Sequence, residues 1–343
     1  MKPPRILFIA NAGPEVGGGH VMRSLTLSNA LTAQGAEVAF LAPPEVRRLL
    51  EVFGPGVAIH DITSAEPGAI VAGGAPLKFD AVVFDHYGLA QTDHQAVAGG
   101  RVALVIDDLA DRPLAADIVL DPGPARMAND YDGLIGDARL LLGPGYAPVR
   151  PAFAALRDAT LKRRGGPVRR VLVALGLTDV GGVTRRVVER LQRIDADIAL
   201  DVVVGSAAGS LPALHVMASI DPRIVLHVDA RDMAELTAAA DIAVGAAGST
   251  TWERCILGLP SVLLVLAENQ RPAAGALAAR NAALVVDAAD PGFEAALDRA
   301  VGHLMADGAL RRDISTASAA LCDGRGGDRV AETFLAAIAN RHP

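Results

Sequence analysis

The stretch Ala10-Asn11-Ala12-Gly13-Pro14-Glu15-Val16-Gly17-Gly18-Gly19-His20-Val21-Met22-Arg23 places an imidazole and a guanidinium one helical turn apart, behind three consecutive glycines. Glycines such as Gly18 and Gly19 let backbone N–H groups approach a ligand that a Cβ would block. A helix that begins there turns the positive end of its dipole toward an anion or a polar ligand. His20 is the side chain in this stretch suited to proton transfer near neutrality, so it is the candidate general base. The glycine spacing is not Gly-x-Gly-x-x-Gly, no acidic residue closes the next strand, and no Gly-Lys-Ser/Thr follows. A dinucleotide fingerprint and a P-loop are therefore both excluded. The alternative is a turn that merely packs a helix on a sheet, with His20 on the surface.

Four further groups of polar residues stand just beyond apolar runs. Asp85-His86-Tyr87-Gly88 follows Ala81–Phe84, and Asp107-Asp108 follows Val102–Ile106. Here His86 is a rival base, Asp85 a residue that orients an imidazole, and Asp108 reads as the cap of the next turn. Gly248-Ser249-Thr250-Thr251-Trp252-Glu253 combines a turn, hydroxyls and a helix start, a cradle for a diphosphate. Glu253 lies one turn on, placed to accept from a ribose diol. The Thr250–Glu253 spacing equally fits a capping box. Glu268-Asn269-Gln270 is a fourth polar group, after the run Val262–Leu266.

The elements that must position these residues alternate. Apolar runs near 5–10, 36–42, 56–60, 80–84, 101–106, 117–120 and 138–142 read as strands, and residues 20–34, 43–53 and 89–99 as helices. Residues 64–78 are rich in Gly and Pro and read as an irregular loop. After a turn-rich, basic segment near 150–168 the rhythm starts again with Val171–Leu175. The fold class expected is α/β, two Rossmann-like doubly wound domains over residues 1–155 and 165–325, with a C-terminal helix over 326–343. In such sheets ligands bind outside the carboxyl ends of the strands, where all four polar groups fall.

Composition agrees. Of 343 residues, 51% are hydrophobic but only 3% aromatic, so the core must be aliphatic, as in buried parallel sheets. Residues 1–150 hold 11 Lys and Arg against 17 Asp and Glu, a net −6, and the remainder carries −1. With no basic face, nucleic acid and anionic membranes are poor partners. The two cysteines, Cys255 and Cys322, cannot form a disulfide framework or a metal cluster by themselves. The segment Met1–Arg5 leads into a strand without a cleavage pattern, and no apolar run is long enough to span a bilayer, so a cytoplasmic protein is expected.

Taken together, Gly17–Arg23, Asp85–Gly88, Ile106–Ala110, Gly248–Glu253, Gly258–Pro260, Glu268–Gln270 and Asp323–Gly326 resemble the UDP-2,4-diacetamido-2,4,6-trideoxy-β-L-altropyranose hydrolases of pseudaminic acid synthesis, the PseG family. The resemblance implies a GT-B-like architecture, its two domains facing across a cleft, with UDP mainly on the second domain and the sugar reaching the first. It implies hydrolysis at the anomeric carbon without metal or cofactor, in a pathway that modifies flagellin or surface glycans. It assigns His20 as base, Tyr87 and Asn269 to the sugar pocket, and Glu253 to the ribose. The loop Gly176-Leu177-Thr178-Asp179 departs from the family's Gly-Gly-Ser/Thr-Asp, putting a side chain where a phosphate would approach the backbone. The alternatives are a glycosyltransferase, in which an acceptor replaces water, and a non-catalytic nucleotide-sugar sensor with no use for His20.

Overall fold

The computed structural model of the chain describes residues 2–13, 16–194 and 197–341. Met1, Pro14 and Glu15 of the stretches discussed above, and the final His342 and Pro343, lie outside the described residues. The chain divides into two compact units, residues 1–149 with 325–343, and residues 150–324.

The first unit opens with β1 (Arg5–Ala10), α1 (Gly19–Ala33), β2 (Glu37–Ala42), α2 (Pro44–Phe53) and β3 (Ala58–Asp61). It continues with α3 (Pro67–Gly74), β4 (Ala81–Asp85), α4 (Gln91–Ala98), β5 (Val102–Ile106), β6 (Ile118–Asp121) and β7 (Arg139–Leu142). The seven strands form one sheet in the order β3-β2-β1-β4-β5-β6-β7, every pairing parallel. Along β1, Ile6 and Phe8 enter one apolar layer while Leu7 and Ile9 enter the other. This is the period of two expected of a strand buried on both faces. The segment read as an irregular loop over 64–78 contains α3. Pro67 occupies its first turn, where a missing N–H costs nothing, and Ile70 anchors it in the core.

The second unit contains α5 (Pro151–Leu161), β8 (Arg170–Ala174), α6 (Val183–Leu191), β9 (Ala199–Val204), α7 (Leu211–Ile220), β10 (Ile224–Val228) and α8 (Met233–Ala239). Then come β11 (Ile242–Ala246), α9 (Thr250–Ile256), β12 (Ser261–Val265), α10 (Arg271–Ala279), β13 (Leu284–Asp287), α11 (Phe293–Ala306) and α12 (Gly308–Ala319). Its sheet is also parallel, in the order β10-β9-β8-β11-β12-β13. The last helix, α13 (Gly326–Arg341), returns to the first unit and buries Val330, Ala331, Phe334 and Ile338 in the layer beside α1.

Each sheet has one topological switch point. In the first, β1 is followed outward by β2 and β4 by β5 in opposite directions. In the second, β8 and β11 play the same parts. Beyond the carboxyl ends of two such strands the departing loops diverge and leave a crevice.

Candidate active site

The switch point of the first unit carries His20, Asp85 and Tyr87. Beyond β1, Asn11 N–H donates to the Asp85 carbonyl at 3.1 Å, and Gly13 and Gly17 pair across the turn. Gly17 has φ 79°, a left-handed conformation that favours glycine. Gly18 sits at the N-cap of α1, which starts with no side-chain cap and no acidic residue in its first turn. An uncapped start is what a ligand-facing helix end needs.

His20 is only 6% exposed, and its Nδ1 lies 2.5 Å from Asp85 Oδ1. Arg23 donates to the same carboxylate from Nε (2.7 Å) and Nη2 (2.6 Å), and Ser24 Oγ adds a bond at 3.2 Å. Arg23 Nη2 also comes within 3.2 Å of His20 Nδ1. A guanidinium has nothing to accept with, so Nδ1 carries the proton and donates it to the Asp85 carboxylate, and Nε2 is left with the lone pair in the neutral ring. Arg23 Nη1 then reaches Asp108 Oδ2 at 3.0 Å, and Tyr87 donates its hydroxyl to Asp108 Oδ1 at 2.5 Å. The Tyr87 ring returns edge-on to His20, centroids 4.4 Å apart. Five side chains from one helix and two strand ends close a ring.

The charges in this ring are fixed. Burial alone would raise Asp85, but Arg23 and His20 outweigh it and hold the carboxyl far below its usual range. Burial opposes the charge of Arg23 as well, and Asp85 and Asp108 more than restore it. For Asp108, burial is again outweighed, by Arg23 and by the Tyr87 hydroxyl. Burial and the Asp108 charge push the Tyr87 hydroxyl well above its ordinary value. Asp85 is fully buried, and its carboxylate is occupied by His20, Arg23 and Ser24.

His86, the rival base, is placed differently. Its Nδ1 accepts from Gly88 N–H at 3.1 Å, and Nε2 is buried without a well-formed hydrogen bond. Burial, then the neighbouring His20, lower it to about 4, so it stays neutral and is a weak base. The capping role expected of Asp108 belongs instead to Asp107. Asp107 Oδ2 accepts from Leu109 N–H and Ala110 N–H, while Asp108 faces Arg23 and Tyr87. The exchange follows from the pleat, since consecutive residues leaving a strand point to opposite sides. Around Asp107 the sequence reading missed a buried cluster. Tyr131 lies 3.2 Å from Asp107 Oδ2 and 3.0 Å from Asp121 Oδ2, and Arg112 pairs with Asp107 at 2.9 Å.

In the second unit, Gly176–Asp179 follows β8 and Ala247–Thr250 follows the neighbouring β11, so both leave one rim. Asp179 has φ 47°, and its Oδ1 accepts from Thr184 N–H (2.9 Å) and Thr184 Oγ1 (2.6 Å), tying the loop to α6. The Leu177 carbonyl accepts from Gly205 N–H at 2.9 Å, fixing that backbone against the end of β9. Thr178 is half-buried and Gly176 exposed.

Ser249 sits at the N-cap of α9 without a side-chain cap, and the capping box between Thr250 and Glu253 does not form. Glu253 Oε1 instead accepts from Arg150 Nε (3.1 Å) and Nη2 (2.8 Å). Beneath the turn lies Arg254, 3% exposed. It donates to Thr250 Oγ1 (3.1 Å), Thr251 Oγ1 (3.1 Å) and the Ala246 carbonyl (2.7 Å). Because Thr250 Oγ1 accepts from Arg254, its own proton is available to point outward. Gly245 makes room for that guanidinium, since a Cβ there would come within 2.5 Å of Nη1. Gly248 precedes the N-cap with nothing within 4 Å of where a Cβ would be. Beyond β12, Asn269 is exposed in a short 3-10 turn, and Gln270 Oε1 is occupied by Leu266 N–H at 2.9 Å, leaving its amide N–H₂ as the group to offer. Arg150 and Arg254 carried no signal in the sequence, because an isolated arginine reads as a solvated surface residue.

Among the described residues no three His, Cys, Asp or Glu side chains are grouped to hold a metal ion. No helix among them is long and apolar enough to cross a membrane.

No protein-family model matches the chain. Among solved structures, MurG of Acinetobacter baumannii superimposes with a TM-score of 0.68 at 18% identity, covering 97% of this chain and all of that one. The calicheamicin glycosyltransferase CalG4 follows at 0.65 and 17% identity, with full coverage of both chains. The fold is GT-B. Curated relatives of this GT-B chain are distant. The UDP-2,4-diacetamido-2,4,6-trideoxy-β-L-altropyranose hydrolase of Campylobacter jejuni is 21% identical over 278 residues, 80% of this chain and 96% of that protein. The spore coat polysaccharide biosynthesis protein SpsG of Bacillus subtilis is 30% identical over 57% of this chain. The chain spans only 58% of that relative's length and 57% of an uncharacterized protein of Methanocaldococcus jannaschii, 25% identical over 78% of this chain. The UDP-N-acetylglucosamine–N-acetylmuramyl-(pentapeptide) pyrophosphoryl-undecaprenol N-acetylglucosamine transferase of Sorangium cellulosum is 27% identical over 98% of this chain.

Proposed function

We propose that the protein is an enzyme acting on a UDP-sugar, and that its reaction is hydrolysis at the anomeric carbon, releasing UDP and a free 2,4-diacetamido-2,4,6-trideoxy hexose. The observation that carries this is the His20–Asp85 pair at the first switch point, its tautomer fixed by a carboxylate that Arg23 keeps ionised. In the neutral ring, Nε2 accepts a proton from a water as the water oxygen bonds to C1. The C1–O bond to the β-phosphate breaks, and its electron pair leaves with UDP. Because UDP is already a weak base, no general acid is needed, unlike the carboxylate pair of a glycosidase. Asp85 compensates the imidazolium that forms, the part a buried carboxylate plays beside a catalytic histidine.

In this proposal UDP is taken by the second unit. Ser249, Thr250 and the backbone of the Gly248 turn hold the diphosphate, with Gly176 and Thr178 on the adjoining loop. Glu253, pre-oriented by Arg150, accepts from the ribose. The residues proposed to contact the sugar are Gly18, Gly19 and Tyr87 on the first unit and Asn269 and Gln270 on the second. The likeness to the Campylobacter hydrolase, along nearly all of that relative's length, supports the choice of sugar.

A transferase reading is favoured by the Sorangium relative, aligned over 98% of this chain. Nε2 would then deprotonate an acceptor hydroxyl. Incubation with UDP-sugars and no acceptor separates the two. Free UDP with free sugar is the expected result. UDP release only on adding an acceptor overturns hydrolysis in favour of transfer, and binding without turnover removes enzymatic function altogether. His20→Asn should lower turnover by about 10²–10⁴-fold while UDP affinity is retained.

A further inference from the structure

The ring around His20 holds one guanidinium against two carboxylates. Asp85 touches both His20 and Arg23, whereas Asp108 is bonded to Arg23 and Tyr87. Its charge is not needed to keep Arg23 in place, since Asp85 already takes Nε and Nη2. The other groups facing His20 add nothing to the balance. His86 stays neutral, pushed down to about 4, and Tyr87 stays protonated. While the imidazole is neutral, one negative charge is left over. Once it takes up a proton, the ring is neutral.

We propose that Asp108 is a positioning residue that acts through Arg23 as the electrostatic counterweight to protonated His20, so that removing its charge makes His20 a poorer proton acceptor. This rests on His20 being the base. The Asp108 side chain is 29% exposed where Asp85 is fully buried, and its hydrogen bonds within the ring are to Arg23 Nη1 and the Tyr87 hydroxyl. The same carboxylate accepts the hydrogen bond of the Tyr87 hydroxyl, which leaves the phenolic oxygen as an acceptor toward a ligand and holds the ring edge against His20. A remote charge of this kind shifts an equilibrium without touching the reacting atoms, and its effect appears in titration rather than in contacts.

The experiment is a ring-proton NMR titration of the full-length, ligand-free protein, with the His20 resonance identified by its loss in His20→Asn. Asp108→Asn should lower the His20 midpoint by about one pH unit relative to the parent chain. It should also move the acidic limb of the turnover profile to lower pH. Tyr87→Phe, which keeps the carboxylate and loses the phenol bond, should leave the midpoint within a few tenths of a unit. An unmoved midpoint in folded Asp108→Asn overturns the proposal, and so does an equal fall in Tyr87→Phe, because ring packing would then be the cause. If Asp108→Asn does not fold, Asp108→Glu should retain the parent midpoint, and a fall of a unit there overturns it. The titration uses no substrate, so a failed hydrolysis assay and a failed counterweight are separate results.

Discussion

At the scale of single residues, the polar clusters of both units use arginines as internal scaffolding. Arg23 braces one carboxylate on each side, and Arg254 braces two threonine hydroxyls from below. Asp85→Asn would let the amide donate to Nδ1 and select the other tautomer, while giving up the bond from Arg23 Nη2 at the same position. Steady-state turnover should fall about 10²–10⁴-fold, with UDP affinity unchanged by calorimetry. Gly245→Ala pushes a methyl into the Arg254 guanidinium, which cannot retreat without giving up three hydrogen bonds. A loss of about 1–3 kcal/mol in chemical denaturation and weaker UDP binding are expected. The sequence made His20, Arg23, Tyr87 and the Ser249 turn visible as types that do chemistry at strand ends. It did not reveal Arg150 or Arg254, because a buried arginine is distinguished only by partners, and Arg150 meets Glu253 from 103 positions away.

At the scale of elements, the parallel sheets were legible because strands buried on both faces have no polar alternation to blur them. Helix α3 was not, since PGAIVAGG looks like a breaker until Ile70 is seen to anchor it. The capping box at Thr250 was equally persuasive and did not form, because Glu253 gains more from a two-donor guanidinium than from one backbone N–H. Helix α13 belongs to the layer that supports α1, and Phe334 is fully buried there. Phe334→Ala should cost about 3–5 kcal/mol by urea denaturation.

At the scale of the whole molecule, acid should act first on the first unit. Burial lowers His86 and His94 to about 4, against 6.5 when unfolded. The unfolded chain therefore binds more protons between those values. The stability these two imidazoles contribute is fully present above pH 6.5 and is lost as the pH drops toward 4. Each imidazole contributes up to ~3 kcal/mol. Asp121, raised by burial to about 6, works in the opposite direction from pH 6 down to its unfolded value, one group against two. The urea midpoint should therefore be lower at pH 5 than at pH 7.5, and His94→Gln should reduce the difference.

The return of α13 also bears on how the protein is made. The first unit begins the chain, yet Val330, Ala331, Phe334 and Ile338 complete its core only after all of residues 150–324 have been translated. At about 5–20 residues per second those ~175 residues occupy roughly 9–35 s. The first unit waits on the ribosome as an unfinished sheet while the second, contiguous in the chain, can already be native.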